Sequence, residues 1–227
     1  MEGGGSDARG HRDRAGRMRR PATLATAGLA LLVLLAIPAR GEEPLSKPRW
    51  EFSASAMTYF VPDEEDFVSP AFKADRDWLH LEARYNYEGK NTASTWVGYR
   101  FSAGETLEFE AIPMLGGVFG DTDGIAPGLE LSLSYKKFDF YSEAEFLFSA
   151  GDKEEDFFYA WSELGFSPVD WLRVGLAGQR TRAYQTELEI QRGFLIGFSG
   201  KHVEFTTYVF NLGWEDPTVV LSLAVSF

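Results

Sequence analysis

Two pairs of carboxylates stand two residues apart, Glu108 with Glu110 and Glu143 with Glu145. A close carboxylate pair can act as general acid and general base, or activate a water. Elsewhere the chain offers Glu82, Glu130, Glu163 and Glu204, and the cations Arg84, Arg100, Lys136 and Arg173. A spacing of i, i+2 puts both members of a pair on one face only in a strand, where side chains alternate. Any strand with one polar face repeats its charges at that interval, so the pairs read first as a lining and second as a catalytic dyad. The histidines add little. His11 lies in the N-terminal segment, and His80 and His202 lie beside tight turns. A nucleophilic triad needs a histidine held against its nucleophile, and none is expected. The chain has no cysteine, which removes disulfides, thiolate metal sites and a lipid-anchored Cys. "DTDG" and "GDKEED" lack the ligand spacing of a calcium loop. "GGVFGD" lacks the Lys and the helix of a phosphate loop. No metal, no cofactor and no enzymatic activity is expected.

The elements that must position these charges are strands. "GLELSLSY", "WLHLEARYNY", "TASTWVGYRF", "DFYSEAEFLF" and "FFYAWSELGF" alternate with period two and are rich in aromatic and branched residues. Turn residues punctuate them regularly. The pattern predicts twelve strands, at about 49–61, 66–74, 77–88, 91–102, 105–118, 125–136, 138–149, 156–167, 170–182, 187–199, 202–213 and 217–227. The second is the weakest, because Pro70 interrupts it; without it ten strands are the natural even count. Connections after even strands are tight ("DRD", "SAGE", "KKF", "SPVD", "SGKH"). Several after odd strands are longer or more acidic ("PDEED", "FGDTDG", "GDKEED", "RAYQTELE", "GWEDP"). Short turns on one side and longer loops on the other are the habit of outer-membrane barrels.

Sorting the strands by face separates two populations. Leu79, Leu81, Ala83, Tyr85 and Tyr87 fall on an apolar face. So do Val97, Tyr99, Phe101, Leu129, Leu131, Leu133, Tyr135, Phe146, Phe148, Leu164 and Phe166. His80, Asp139 and the charges named above fall on the other. Two arginines break the pattern. Arg180 is expected near the outer rim, and Arg192 falls on the apolar face unless a bulge at Gly193 shifts the phase, which is expected. Alternation fits a soluble barrel with its apolar face inward, or a membrane barrel with that face toward lipid. Three features favour the membrane barrel: aromatics recur near strand ends, the strands are too many for one small soluble barrel, and Phe227 ends the last strand in phase.

The N-terminal segment fits this compartment. Arg19 and Arg20 precede an uncharged stretch from Pro21 to Ala39, most apolar over Leu29–Ile37, with small residues at Ala39 and Gly41. That is the layout of a secretory signal. The chain therefore divides into an extension plus signal over 1–40, with Met18 a possible start, a periplasmic leader over 41–48 and a barrel over 49–227. Seven of the 22 Lys+Arg and three of the 34 Asp+Glu lie in residues 1–40, leaving 15 against 31 in the rest. So acidic a chain disfavours nucleic acid as a partner.

The run Leu221, Leu223, Val225, Phe227 resembles the C-terminal signature by which outer-membrane β-barrel proteins are recognised by their assembly machinery. "DRDWLHLEARYNYE" is similar to a stretch of uncharacterised proteobacterial barrel proteins. The resemblance implies an all-β, antiparallel up-and-down transmembrane barrel in the outer membrane of a Gram-negative bacterium. Its partners would be the lipid and the assembly machinery. The twelve-stranded oligosaccharide and nucleoside porins are similar in size. The expected function is a narrow porin for small, cation-favoured solutes. Its pore lining would be Glu82, Arg84, Arg100, Glu108, Glu110, Glu130, Lys136, Glu143, Glu145, Glu163, Arg173 and Glu204. Two alternatives stay open: a sealed structural or adhesive barrel, and a soluble periplasmic barrel holding an apolar ligand.

Overall fold

The computed structural model describes residues 49–62, 65–151, 156–183, 189–213 and 217–227. The segments expected to be signal and leader, residues 1–48, and parts of four loops lie outside the described residues, as do the side chains of residues 181–183 and 189. The described elements are β1 (Glu51–Phe60), β2 (Phe67–Arg76), β3 (Leu79–Tyr85), β4 (Thr92–Tyr99), β5 (Phe101–Ala103), β6 (Glu108–Gly120), β7 (Gly124–Tyr135), β8 (Phe138–Ser149), β9 (Phe157–Val169), β10 (Leu172–Ala183), β11 (Glu189–Ser199), β12 (Val203–Phe210) and β13 (Thr218–Ser226). All the ladders are antiparallel. β4 and β5 are two pieces of one barrel strand, since both pair with β6 in one register, Gly98 opposite Met114 and Phe101 opposite Ala111. The break falls at Arg100, whose N–H donates to the Trp78 carbonyl at 2.7 Å. β13 returns to β1 over eight registered pairs, from Ser53–Ser226 to Phe60–Val219. The sheet is therefore a closed twelve-stranded barrel without free edges.

β2 forms despite Pro70. The residue pairs with Ala56 on the β1 side, but pairing with β3 starts only at Ala71. The missing N–H thus falls where the strand is locally an edge. The tight turns are as short as expected. Asp77 and Lys136 each open a two-residue connection at φ 57°.

The two faces decide the environment. Val97, Leu115, Phe119, Ile125, Leu164, Leu176 and Phe194 are each more than half exposed or at its edge, while Trp96, Ile112, Met114, Leu147, Trp161 and Leu195 point inward and are buried. Buried with them are Glu82, Arg84, Glu130, Glu143, Glu145 and Glu163. A soluble barrel holding an apolar ligand needs the opposite arrangement, so that alternative is overturned. An apolar outer wall around a polar interior is the geometry of a membrane-spanning barrel. Aromatic pairs ring its turn-side rim: Trp78 with Tyr99, Phe138 with Phe166, Trp171 with Phe198 and Phe52 with Phe227.

Three assignments are corrected. Tyr87 is not on the lipid face. Asn86 takes a left-handed conformation (φ 54°) just past β3, which breaks the alternation and turns Tyr87 into the lumen. Arg192 faces outward without any bulge. Its ladder runs unbroken through Gly178–Arg192 and Ala177–Gly193, and Gly193 pairs with Phe210. It stands three residues from the loop end of β11, a depth at which a lipid-facing arginine costs roughly 0–1 kcal/mol. Lys136 does not line the lumen either. It sits in the turn, with its ammonium 5.0 Å from the ring centroid of exposed Tyr135.

Large inward side chains fit because small residues face them. A Cβ on Gly116 would lie 2.5 Å from the Trp96 ring. Gly116→Ala is expected to cost about 1–3 kcal/mol through overpacking. The measurement is the temperature at which the fast-migrating unboiled form on a gel converts to the slow form; an unchanged midpoint would mean that Trp96 is free to move aside.

Candidate functional site

The centre of the lumen is built around one guanidinium. Arg84 projects inward from β3 with a side chain only 1% exposed. Its Nη2 donates to Glu82 Oε2 at 2.7 Å, and its Nη1 donates to Glu145 Oε2 at 3.2 Å. Nη1 also lies 2.5 Å from Glu143 Oε1, a close charge contact. Glu130 Oε1 stands 3.7 Å from Nη2. Two rings complete the surroundings, with Tyr87 and Trp96 centroids 4.5 and 4.8 Å from the guanidinium carbon. Lys73 on β2 supplies a second cation, 2.6 Å from Glu130 and 3.8 Å from Glu82. Tyr141 donates to Glu143 Oε2 at 3.0 Å.

These contacts cross the barrel. Glu143 and Glu145 stand on β8, four barrel strands from Arg84, and Glu130 on β7 stands four from Lys73. The ion pairs are chords across the lumen at mid-height. An ion buried without a partner is costly, and each carboxylate here has a cation in reach. Four central carboxylates, Glu82, Glu130, Glu143 and Glu145, face two cations, Lys73 and Arg84.

Toward the turn side the network continues at lower burial. Arg173 donates to Glu163 Oε2 at 2.6 Å and to both Asp139 oxygens, from Nε at 3.0 and 3.2 Å. Glu163 Oε1 also accepts from Trp161 Nε1 at 2.7 Å and Tyr208 Oη at 2.8 Å. Arg100 pairs with Glu110 at 2.5 Å and lies 3.6 Å from Glu51. Glu108 and Glu204 are exposed at the turn-side mouth, outside the central network. His80 is buried, with Nδ1 2.8 Å from Asp75 and Nε2 3.6 Å from Glu82. His80, Glu82 and Glu130 bring donor atoms within 4.8 Å of one another, but Lys73 already supplies a cation to both carboxylates.

Toward the loop side the lumen turns aromatic. The Asn86–Asn91 segment between β3 and β4 folds inward. Asn86 Nδ2 donates to the Val68 carbonyl at 3.0 Å, and the Asn91 N–H donates to Asn86 Oδ1 at 2.8 Å. Trp96 Nε1 donates to Ser94 Oγ at 3.0 Å, and Ser94 Oγ donates to Glu88 Oε1 at 2.6 Å. Tyr87 reaches the far wall, edge-on to Tyr159 of β9 at 5.5 Å. The sequence shows "EGKN" only as a turn. Lys73, Asp75 and this inward segment are absent from the expected lining. The odd positions of β2 carry a legible signal, since Lys73 and Asp75 share one face there.

In fold the chain is similar to solved outer-membrane structures. One is described as "KdgM porin" (TM-score 0.54, 10% identity, 77% of this chain and 99% of that one). A second is "KdgM porin in complex with disordered oligogalacturonate" (TM-score 0.52, 9% identity, 77% and 98%). A third comes from work on in-meso crystallization of membrane proteins (TM-score 0.52, 11% identity, 78% and 83%). No protein-family model matches the chain, and no curated protein matches it in sequence. Closure, inverted faces and this likeness define the class: an outer-membrane-type β-barrel with the porin fold.

Removing a buried charge that serves several partners costs about 3–5 kcal/mol. Arg84→Met is expected to lower stability by that order. Arg100→Met, at a side chain 31% exposed, is expected to cost no more than about 1 kcal/mol. Heat-modifiability midpoints of the two variants check this; equal losses would show that Arg84 is not the central tie.

Proposed function

We propose that the protein acts in the outer membrane of a Gram-negative bacterium as a narrow passive channel for small solutes, favouring cations. The observation that carries this reading is the central lumen, where four carboxylates face two cations inside a closed barrel of porin fold. Rings of carboxylates favour cations in pores. The proposed lining is Glu82, Arg84, Glu130, Glu143 and Glu145 at the constriction, with Glu163, Arg173, Arg100, Glu110, Glu108 and Glu204 toward the turn-side mouth. The oligogalacturonate named for one structural neighbour is a polyanion, and an acidic constriction repels it, so that solute is not carried over.

The chords through Arg84 also favour a second reading, a barrel sealed at mid-height that serves a structural role. Planar-bilayer recording separates the two. The channel reading expects conductance steps with a cation-selective reversal potential in a KCl gradient, moving toward zero in the Glu143→Gln/Glu145→Gln double variant. Anion selectivity would sink the cation bias, and inserted protein without steps would favour the sealed barrel.

We further propose that Leu221, Leu223, Val225 and Phe227, on the outward face of β13 and its extension, engage the barrel-assembly machinery. Phe227→Ala is expected to reduce the amount of heat-modifiable barrel in membranes without changing the midpoint of what assembles. A lowered midpoint at normal yield would assign Phe227 to stability alone.

A further inference from the structure

Beneath the inward β3–β4 segment lies a recess of about 140 Å³. Four of its ten lining residues are aromatic, and Lys90 is another of the ten. Tyr59 stacks on Phe67 at 4.6 Å, and Tyr87 meets Tyr159 edge-on at 5.5 Å. Two polar oxygens on its lining have no hydrogen-bond partner among the described residues. They are Ser69 Oγ, in a residue 4% exposed, and Glu88 Oε2, in a residue 8% exposed. Buried polar atoms are nearly always partnered, so two orphans in one recess call for a donor. The other Glu88 oxygen is taken by Ser94. The Nη atoms of Arg84, whose charge reaches Glu88, are committed to Glu82, Glu143 and Glu145, while its Nε has no hydrogen-bond partner among the described residues.

We propose that this recess binds a small organic ammonium ion, its N–H groups on Glu88 Oε2 and Ser69 Oγ and its alkyl part against the rings of Tyr59, Phe67, Tyr87 and Tyr159. Three further facts support the assignment. Aromatic faces attract cations, and the protein's own Lys90 ammonium already sits 5.8 Å from the Phe67 ring centroid at the edge of the recess. The volume is close to that of an engineered cavity of roughly 150 Å³ that takes benzene, so a chain of about four carbons fits. Burial pushes the Glu88 carboxyl upward, while hydrogen bonds from Ser94, its own backbone and Trp96 and the charge of Arg84 pull the other way; a bound ammonium adds positive charge beside the carboxylate. The proposal goes beyond the channel reading and stands whether or not the lumen conducts.

The test is isothermal titration of the full-length protein in detergent with n-butylammonium, with butyrate and 1-butanol as matched probes. Binding of the ammonium, with butyrate and butanol weaker by at least roughly tenfold, is expected; one charge-assisted hydrogen bond is enough for that ratio. Glu88→Gln should lose the same factor. Ser69→Ala removes an oxygen that has no partner in the fold, so it keeps the test open if Glu88→Gln fails to assemble, and it should weaken binding measurably. The heat-modifiable band certifies each variant as folded. Undetectable binding, equal affinity for butyrate, or unchanged affinity in the folded variants would each overturn the proposal. None of these results bears on conductance, which is read separately.

Discussion

The pairing of β1 with β13 is the contact on which everything else depends. Hydrocarbon offers no partner to a free backbone N–H or carbonyl, so a sheet spans a bilayer only when it has no edge. The eight registered pairs of this seam are extended by two further hydrogen bonds, exchanged between Phe52 and Phe227 at 2.9 and 3.0 Å. Their rings stack on the outer wall, and Phe72 joins from β2. Closure also fixes which strands face each other across the lumen, and so which charges meet.

Closure sets the second constraint. Twelve strands enclose more space than the eight that side chains fill and less than the sixteen to eighteen of open channels. The lumen therefore has to be bridged by long side chains if its walls are to meet. Arg84 and Lys73 are suited to that. Each carries its charge at the end of a flexible stem, and each finds carboxylates four strands away. Arginine is the better centre because its planar fork serves several acceptors and stacks on rings. Trp96 and Tyr87 provide those rings, and Gly116 leaves room for Trp96.

How much of this is legible in the sequence follows from the range of each interaction. Alternation is local, so strand number, turn side and the faces of Leu81, Val97 and Leu164 can be read directly. Glu82, Glu143 and Glu145 can be placed on the lumen face for the same reason. Their meeting with Arg84 cannot be read, because it depends on the closure that brings β3 within reach of β8. Tyr87 misleads because one left-handed residue, Asn86, reverses the phase that a period-two count assumes. Arg192 misleads in the opposite way. A bulge is inferred to keep charge off the lipid face, but near the loop rim the charge costs too little to require one.

The inward β3–β4 segment ties these levels together. Left-handed Asn86 and Asn91 close the segment on itself, and Glu88 anchors it through Ser94 to Trp96. Trp96 in turn stacks on Arg84, the hub of the ion network. A chain of direct contacts thus runs from a loop-side turn to the mid-height ion network. Displacing Glu88 would release the Ser94 link, and Tyr87 also lies against the same guanidinium, its ring centroid 4.5 Å from the guanidinium carbon. The loop-side recess is therefore linked to the ion network through Tyr87 and through the Glu88–Ser94–Trp96 chain. The proposed ammonium ligand would sit against Tyr87 and Glu88, which also connect to the ion network.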